Sequence, residues 1–149
     1  MNSFWGELAH NKTLWAVIFS GLVAQGLKIV ASLLRREKFS FSWLVDTGGM
    51  PSSHSAAVVS FAVCMGKEAG FESSLFALAV LFALITMFDA QTWRRSIGFQ
   101  AKILNKMMED LHEKKKIGED RLRELVGHTP VEVFMGAVVG FVMTFFFYR

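Results

Sequence analysis

Residues 14–34 read LWAVIFSGLVAQGLKIVASLL, and this stretch decides the fold class. It holds one charged residue, Lys28, and its length matches the roughly 20 residues that a helix needs to cross a hydrocarbon core of about 30 Å. Apolar runs of similar length cover 73–90 and 131–148. A shorter run, 52–70, can cross only if its full length is used or if its neighbours shield it. The sequence therefore predicts an all-α integral membrane bundle of about four transmembrane helices over these four ranges.

The composition supports a membrane protein and limits its chemistry. Hydrophobic residues make up 52% and charged residues 19% of the 149-residue chain, whereas about a quarter of an ordinary soluble domain is charged. The length leaves room for a single domain. The one cysteine, Cys64, lies inside an apolar run, so the sequence offers neither a disulfide framework nor a cysteine metal site.

Positive charges are concentrated in two connections between the predicted helices. Twelve of the sixteen Lys and Arg residues lie in 35–53 and 91–129. The positive-inside rule therefore places both connections in the cytoplasm and both termini outside, in a multi-pass protein of the cell membrane. Within the connection 91–127, apolar residues from Gln100 onward recur with a helical period, so we expect a cytosolic helical segment that Lys114–Lys116 and Gly118 interrupt before a second short helix.

Successive predicted helices cross the membrane in alternate directions, and this places polar residues from distant parts of the sequence at the same membrane face. The second helix begins, the third ends and the fourth begins on the same predicted cytoplasmic face. His54, the segment Asp89–Arg95 and His128 are therefore expected to lie close together at that face. This order of helices predicts a polar site before any motif is considered.

The sequence Pro51-Ser52-Ser53-His54 stands at the start of the second predicted helix. Ser52 is a suitable N-cap, and a helix N-terminus with unpaired N–H groups is a ready site for an anion. Ser53 and His54 lie in that first turn, within reach of a bound anion. The alternative is a plainly capped helix start with an interfacial histidine.

Three cations and one carboxylate extend the candidate site. Asp89 precedes Arg94 by about one and a half turns, so it can orient Arg94 or Arg95 as a fork for phosphate oxygens. Alternatively, the two arginines serve only as topology determinants. Lys28 lies seven residues before Arg35, about 10 Å deeper, where a lysine must snorkel or face a polar interior.

The start of the fourth predicted helix combines a capping box with a histidine. Thr129 and Glu132 form the box, and a proline occupies the first helical position, which explains these residues without any chemistry. His128 stays just outside the helix, where Glu132 can hold its ring. The spacing Gly136-x-x-x-Gly140 on the Glu132 face permits close helix packing, either within the chain or between two copies.

Two histidines, at least three cations and a helix N-terminus at one membrane face are typical of a site that processes phosphate. Cations neutralise a phosphoryl group while one histidine attacks and the other protonates the leaving oxygen. No cluster of acids, histidines or cysteines has metal-ligand spacing, so we expect a mechanism without a metal or a cofactor. His10 and His112 lie in charged segments away from this level and are expected to be solvated.

Three stretches together resemble the divergent branch of the type 2 phosphatidic acid phosphatase superfamily, which is related to vanadium haloperoxidases. They are GGMPSSHSA, FALITMFDAQTWRR followed by GFQAKILN, and ELVGHTPVEV, and the resemblance runs from about Gln25 to the C-terminus. It implies a phosphohistidine mechanism on lipid phosphates without a metal. Under this resemblance, Pro51, Ser52 and His54 match the second superfamily motif, with Ser53 in place of its glycine, and His54 becomes the general acid.

The remaining motifs match with departures. His128 with Glu132 is similar to the third motif, with glutamate in place of aspartate, so the resemblance makes His128 the nucleophile. The arginine of that motif has no match at its usual spacing, because Arg123 is one residue closer and Arg121 one farther. Arg94 and Arg95 are candidates to replace it. Lys28 stands in for the lysine of the first motif, without the Arg-Pro that usually follows.

The leading hypothesis is a phosphatase acting on a lipid phosphomonoester of the phosphatidylglycerophosphate or phosphatidic acid type, because the predicted site faces the inner leaflet. A polyprenyl diphosphate phosphatase is the alternative if the topology is inverted. A non-catalytic protein that binds anionic lipid head groups would keep the cations but would not need both histidines. The expected partners are the lipid substrate and membrane lipids, with no nucleic acid, and the Gly136–Gly140 face is compatible with a homo-oligomer.

Overall fold

A computed structural model describes residues 4–34, 49–112 and 128–148, and every regular element in these ranges is an α-helix. The helices in chain order are α1 (Phe4–Ala9), α2 (Lys12–Leu34), α3 (Ser53–Ala69), α4 (Ser74–His112) and α5 (Pro130–Phe147). Three of them, α2, α4 and α5, contain stretches long and apolar enough to cross a membrane. The predicted helical membrane bundle is thereby confirmed.

Helix α3 lies at the centre of the bundle, in contact with α2, α4 and α5. Its 17 residues extend about 26 Å, somewhat less than a hydrocarbon core. Its buried positions are mostly small residues, which let three neighbouring helices approach closely: Ser55, Ala56, Val58, Ser60, Ala62, Cys64 and Gly66. That α3 crosses the membrane stays a prediction, which depends on shielding of this short helix by its three neighbours.

Helix α4 differs from the prediction in its second half. We expected the third transmembrane helix to end near residue 90 and a separate cytosolic helix to begin near Gln100, but one helix runs from Ser74 to His112. The physical reason is that no proline interrupts these 39 residues and that arginine is a good helix former, so Arg94 and Arg95 do not end the helix. The expected interruption at 114–118 and the short helix after it lie outside the described residues.

Helix α5 packs on α3 through two glycines. A Cβ built on Gly136 would lie 2.9 Å from Cβ of Ser55, and one built on Gly140 would lie 3.0 Å from Cα of Ala56. The carbonyl oxygens of Ser52, the N-cap of α3, and of Ala56 would be closer still. Of the two alternatives for the glycine spacing, the structure shows packing within the chain, so this face is already occupied by α3.

Polar side chains join three helices at the end of the bundle opposite to His128. Thr13 donates to the carboxylate of Glu68 at 2.8 Å, and Tyr148 donates to the same carboxylate. The contacts tie the start of α2 to the ends of α3 and α5. The histidine-bearing starts of α3 and α5 therefore belong to helices that are also fixed at their far ends.

Candidate active site

The starts of α3 and α5 lie side by side. The backbone N–H of Ser52 donates to the carbonyl of Glu132 at 2.9 Å. The Ser52 hydroxyl accepts an N–H of the first α3 turn at 3.4 Å, and Thr129 Oγ1 accepts the N–H of Glu132 at 3.3 Å. The predicted N-cap and the predicted capping box are both confirmed. They place His54 in the first turn of α3 and His128 just ahead of α5.

His54 and His128 are neighbours across this junction. Their ring centroids lie 6.3 Å apart with the ring planes inclined by 57°. The backbone N–H of His128 also donates to the carbonyl of Ala90 at 3.0 Å, which fixes the histidine against the middle of α4. The structure thus brings together the three chain segments that the alternation of helices places at one level.

Glu132 determines which nitrogen of His128 carries the hydrogen. Its Oε2 lies 3.2 Å from Nδ1 of His128 and accepts the N–H of Thr129 at 2.9 Å. Because a carboxylate only accepts hydrogen bonds, the neutral imidazole carries its hydrogen on Nδ1 and its lone pair on Nε2. The His128 side chain is 2% exposed, and its Nε2 has no hydrogen-bond partner among the described residues. A lone pair held in this way is suited to nucleophilic attack.

Burial lowers the pKa of His128 below its usual value of 6.5. The hydrogen bond and negative charge of Glu132 oppose this effect, while the charges of His54 and Lys28 add to it. The net result is a lowered pKa, so the imidazole is neutral at neutral pH. The Nε2 lone pair of His128 is therefore free of a proton at neutral pH.

Lys28 supplies a buried positive charge to the same region. It is 8% exposed and lies on an α2 stripe that faces the bundle interior, together with Ala16, Ser20 and Ala24. Of the two expectations for this lysine, the structure shows the interior position and not the snorkelling one. Its positive charge contributes to the lowered pKa of His128, so Lys28 lies within electrostatic reach of this histidine.

The other predicted phosphate-binding residues are placed less closely. Ser53 is half-buried as the first residue of α3, and Asp89 is exposed on α4 beside Ala90. Arg94 and Arg95 follow on α4 about one turn beyond Ala90. Their side chains are not among those described, so the pairing of Asp89 with an arginine stays a prediction.

Of the remaining histidines and arginines, only His10 has a side chain in the described part of the chain. His10 is exposed near the N-terminus, with Nδ1 2.7 Å from the carbonyl of Gly6. The side chain of His112 and the residues Arg121 and Arg123 lie outside the described part of the chain. Within the described ranges, no three His, Cys, Asp or Glu side chains are grouped so that they could hold a metal ion.

Sequence reasoning missed two backbone features of the site. One is the Ala90 carbonyl that accepts the His128 N–H, which no side-chain pattern reveals. The other is Gly49, whose backbone lies against the stem of Lys28 with a φ of 95°. The glycine pair directly before Met50-Pro51 was the available signal, because consecutive glycines indicate backbone that must adopt an unusual conformation or lie close to another group.

The fold and the site define a class, namely helical membrane proteins with two histidines at adjoining helix starts. A family model described as the divergent PAP2 family matches residues 9–143, and the chain belongs to that family. The uncharacterized membrane protein YuiD of Bacillus subtilis (strain 168) is 39% identical, over 93% of this chain and 94% of the relative. No solved structure gives a significant match. The resemblance seen in the sequence motifs is confirmed.

Proposed function

We propose that this chain is a membrane phosphatase that hydrolyses a lipid phosphomonoester through a phosphohistidine intermediate. The observation that carries the proposal is the histidine pair, with ring centroids 6.3 Å apart, in which His128 is buried with Nε2 unpartnered among the described residues and His54 is exposed. A passive head-group site needs the cations but has no use for a buried histidine nitrogen without a partner. Membership of the family supports the same chemistry.

In the first step, Nε2 of His128 attacks phosphorus and the bond from phosphorus to the lipid oxygen breaks. His54 donates a proton to that oxygen, so the lipid departs as an alcohol. Glu132, which accepts the hydrogen bond from Nδ1, stabilises the positive charge that the His128 ring gains. Lys28 and the positive end of the α3 dipole neutralise the phosphoryl oxygens as charge develops.

In the second step, water attacks the phosphohistidine. His54, now neutral, takes a proton from the water, and the bond between phosphorus and Nε2 of His128 breaks. Inorganic phosphate leaves, His128 is again neutral and His54 is again protonated. The chain's own cations supply the positive charge in both steps.

The charge distribution of the chain supports a substrate in the inner leaflet. Twelve of the sixteen Lys and Arg residues lie in 35–53 and 91–129, the sequence ranges that lead to the two histidine-bearing helix starts. The positive-inside rule assigns these ranges to the cytoplasm. Phosphatidylglycerophosphate and phosphatidic acid are phosphomonoesters that such a site can reach. A polyprenyl diphosphate in the outer leaflet would require the opposite topology.

Purified protein in nanodiscs with EDTA is expected to release phosphate from at least one lipid phosphomonoester. The assay uses a panel that varies the head group at fixed acyl chains, with a polyprenyl diphosphate included. Vanadate mimics a pentacoordinate phosphoryl group and is expected to inhibit, because a transition-state analogue binds far more tightly than substrate. Released phosphate and the vanadate dose response are measured on the same preparation.

Two outcomes would overturn parts of the proposal. A non-catalytic head-group protein would release no phosphate from any lipid in the panel and would bind vanadate poorly. A strong preference for the polyprenyl diphosphate would contradict the substrate class and the cytoplasmic site, while it would leave the two-histidine chemistry in place.

Substitution Glu132→Gln is expected to shift the acid limb of the pH–rate profile to lower pH. The rate requires neutral His128, so kcat/KM falls as the pH drops through the His128 pKa, which lies below 6.5. Glutamine preserves a capping-box acceptor but removes the charge that raises this pKa. The pKa of His128 therefore falls further, and the variant stays neutral at that position to a lower pH. The maximal rate also falls, because the ring loses its counter-charge during attack.

The matched control for this prediction is Glu68→Gln, the same chemical change at the opposite end of the bundle. Glu68 accepts hydrogen bonds from Thr13 and Tyr148 and does not contact the histidines. Its variant is expected to keep the acid limb of the wild-type protein. An acid limb that moves to higher pH in Glu132→Gln would contradict the assignment of His128 as the group that must be neutral.

A further inference from the structure

The side chain of Lys28 lies against the backbone of Gly49. A Cβ built on Gly49 would lie 2.9 Å from Cε of Lys28 and 3.5 Å from both Cδ and Cγ. Three successive carbons of the lysine stem are thus in contact range of the position that a side chain at residue 49 would occupy. Gly49 also has a φ of 95°, in the left-handed region that favours glycine.

This contact connects two parts of the candidate site. Gly49 lies three residues before Ser52, the buried N-cap of α3, so it is part of the segment that leads into this helix. Lys28 comes from α2 and is 8% exposed. The stem of Lys28 therefore lies inside the bundle, and Gly49 lies beside it without a side chain of its own.

We propose that Gly49 is the positioning residue of Lys28, because the absence of a side chain at residue 49 leaves the space through which the lysine stem reaches the anion site. The inference rests on the proposed function for the identity of the anion, a phosphoryl group. Gly49 acts through Lys28 and is assigned no contact with the substrate.

The physical argument is that lysine cannot position its own charge. Its ammonium group sits on a flexible four-carbon stem, so a fixed location requires walls around that stem. An electrostatic contribution to phosphoryl transfer depends on charges that are already in place when charge develops on the substrate. A methyl group at residue 49 would displace Cε, and because a lysine stem moves easily, the displacement changes the site more than the fold.

Substitution Gly49→Ala tests the proposal, with Gly70→Ala as the matched control. Gly70 has a φ of 90°, so alanine suffers similar backbone strain there, but the nearest atom to its Cβ is Cγ of Glu72 at 3.9 Å. Both variants are expected to lose thermal stability. Only Gly49→Ala is expected to lower kcat/KM and weaken vanadate inhibition, by about tenfold, the scale of one hydrogen bond to a charged group. Equal activity in the two variants would contradict the proposal.

A double-mutant cycle with Lys28→Met separates positioning from general disturbance. If Gly49 acts through the lysine, Gly49→Ala is expected to cause little further loss once the ammonium group is gone. Additive losses in the double variant would show that Gly49 affects the site by another route.

A readout without catalysis distinguishes failure of this inference from failure of the proposed function. Among the described residues, the groups that act on the His128 ring are Lys28 from α2, His54 from α3 and Glu132 from the first turn of α5, and the Lys28 charge lowers the pKa of His128. Gly49→Ala is therefore expected to raise the pKa of His128 in an NMR titration, and Gly70→Ala is not. A shifted titration in a chain that hydrolyses no lipid would sustain the positioning role and reject the phosphatase. An unshifted titration in an active enzyme would reject the positioning role alone.

Discussion

Substitution His128→Ala is expected to lower phosphate release from the lipid substrate by at least about 10³-fold, because loss of the proposed nucleophile removes the proposed covalent route. The variant should still fold. Glu132 keeps the N–H of Thr129 as a partner and is 18% exposed, so no buried charge is left unpaired. The loss of activity would then come from the missing imidazole and not from unfolding. Phosphate release measured beside a thermal unfolding curve checks both statements.

The proposed phosphohistidine intermediate gives this prediction a second and sharper readout. Wild-type protein quenched during turnover of a lipid labelled in its phosphate is expected to carry label on Nε2 of His128, as an acid-labile, base-stable phosphoramidate. His128→Ala carries none. The matched control is His10→Ala, in which the exposed histidine near the N-terminus is removed and labelling persists. Label retained in His128→Ala would contradict the assignment of the nucleophile.

An aryl phosphate separates the roles of the two histidines. Its leaving group departs without protonation, so His54→Ala is expected to form the phosphoenzyme from it at a rate near that of wild type. The second step still needs a base for water, so label accumulates and a burst of aryl alcohol precedes slow turnover. With the lipid substrate the same variant loses about 10²- to 10⁴-fold, the usual range for general acid catalysis. His128→Ala stays inactive with both substrates.

The convergence of the site could be predicted from the sequence because it follows from hydropathy and charge alone. The apolar runs predict the helices, and successive helices cross the bundle in alternate directions. The starts of the second and fourth predicted helices are therefore expected on the same side, which agrees with the proximity of His54 and His128. The caps at Ser52 and Thr129 were equally accessible, since both depend on local side-chain chemistry. Each of these predictions depends only on local side-chain chemistry or on the order of the helices along the chain.

The length of α4 and the packing partners of individual glycines could not be predicted in this way. The continuity of α4 past residue 90 was missed because a helix that leaves the membrane keeps its backbone hydrogen bonds, so a change in polarity does not mark its end. The spacing Gly136-x-x-x-Gly140 predicts close helix packing but does not identify the helix that packs there, because that depends on the surfaces of both helices. The role of Gly49 could not be predicted, because the residue contacts a lysine about twenty residues away in the sequence.

Substitution Gly136→Ala is expected to lower phosphate release by about 100-fold, because displacement of catalytic groups by about 1 Å has effects of this size. The added Cβ would lie 2.9 Å from Cβ of Ser55 and closer still to the carbonyl oxygen of Ser52. Backbone cannot rotate out of the way as a flexible side chain can, so the starts of α3 and α5 must separate. Separation breaks the 2.9 Å hydrogen bond from Ser52 N–H to the Glu132 carbonyl. His54 and His128 move apart with their helices.

Gly140→Ala serves as a matched comparison at the next α5 turn. Its Cβ would press on the backbone of Ala56, so both variants are expected to be destabilised by about 1–3 kcal/mol, the usual range for overpacking. Gly140 lies about 6 Å farther along α5 from the histidines, and the fixed start of the helix absorbs part of the shift. The loss of activity is therefore expected to be smaller than in Gly136→Ala at similar stability.

Gly26→Ala completes the set, because a Cβ at this exposed α2 position meets nothing within 4 Å. It is expected to keep full activity and to gain slightly in stability, since alanine favours a helix over glycine. Thermal unfolding and phosphate release measured on all three variants give two independent scales. If the glycines set the distance between the histidines, activity falls in the order Gly26→Ala, Gly140→Ala, Gly136→Ala, while stability separates only the first from the other two. Activity that instead follows stability across the set would show that α3–α5 packing holds the fold without setting the geometry of the site.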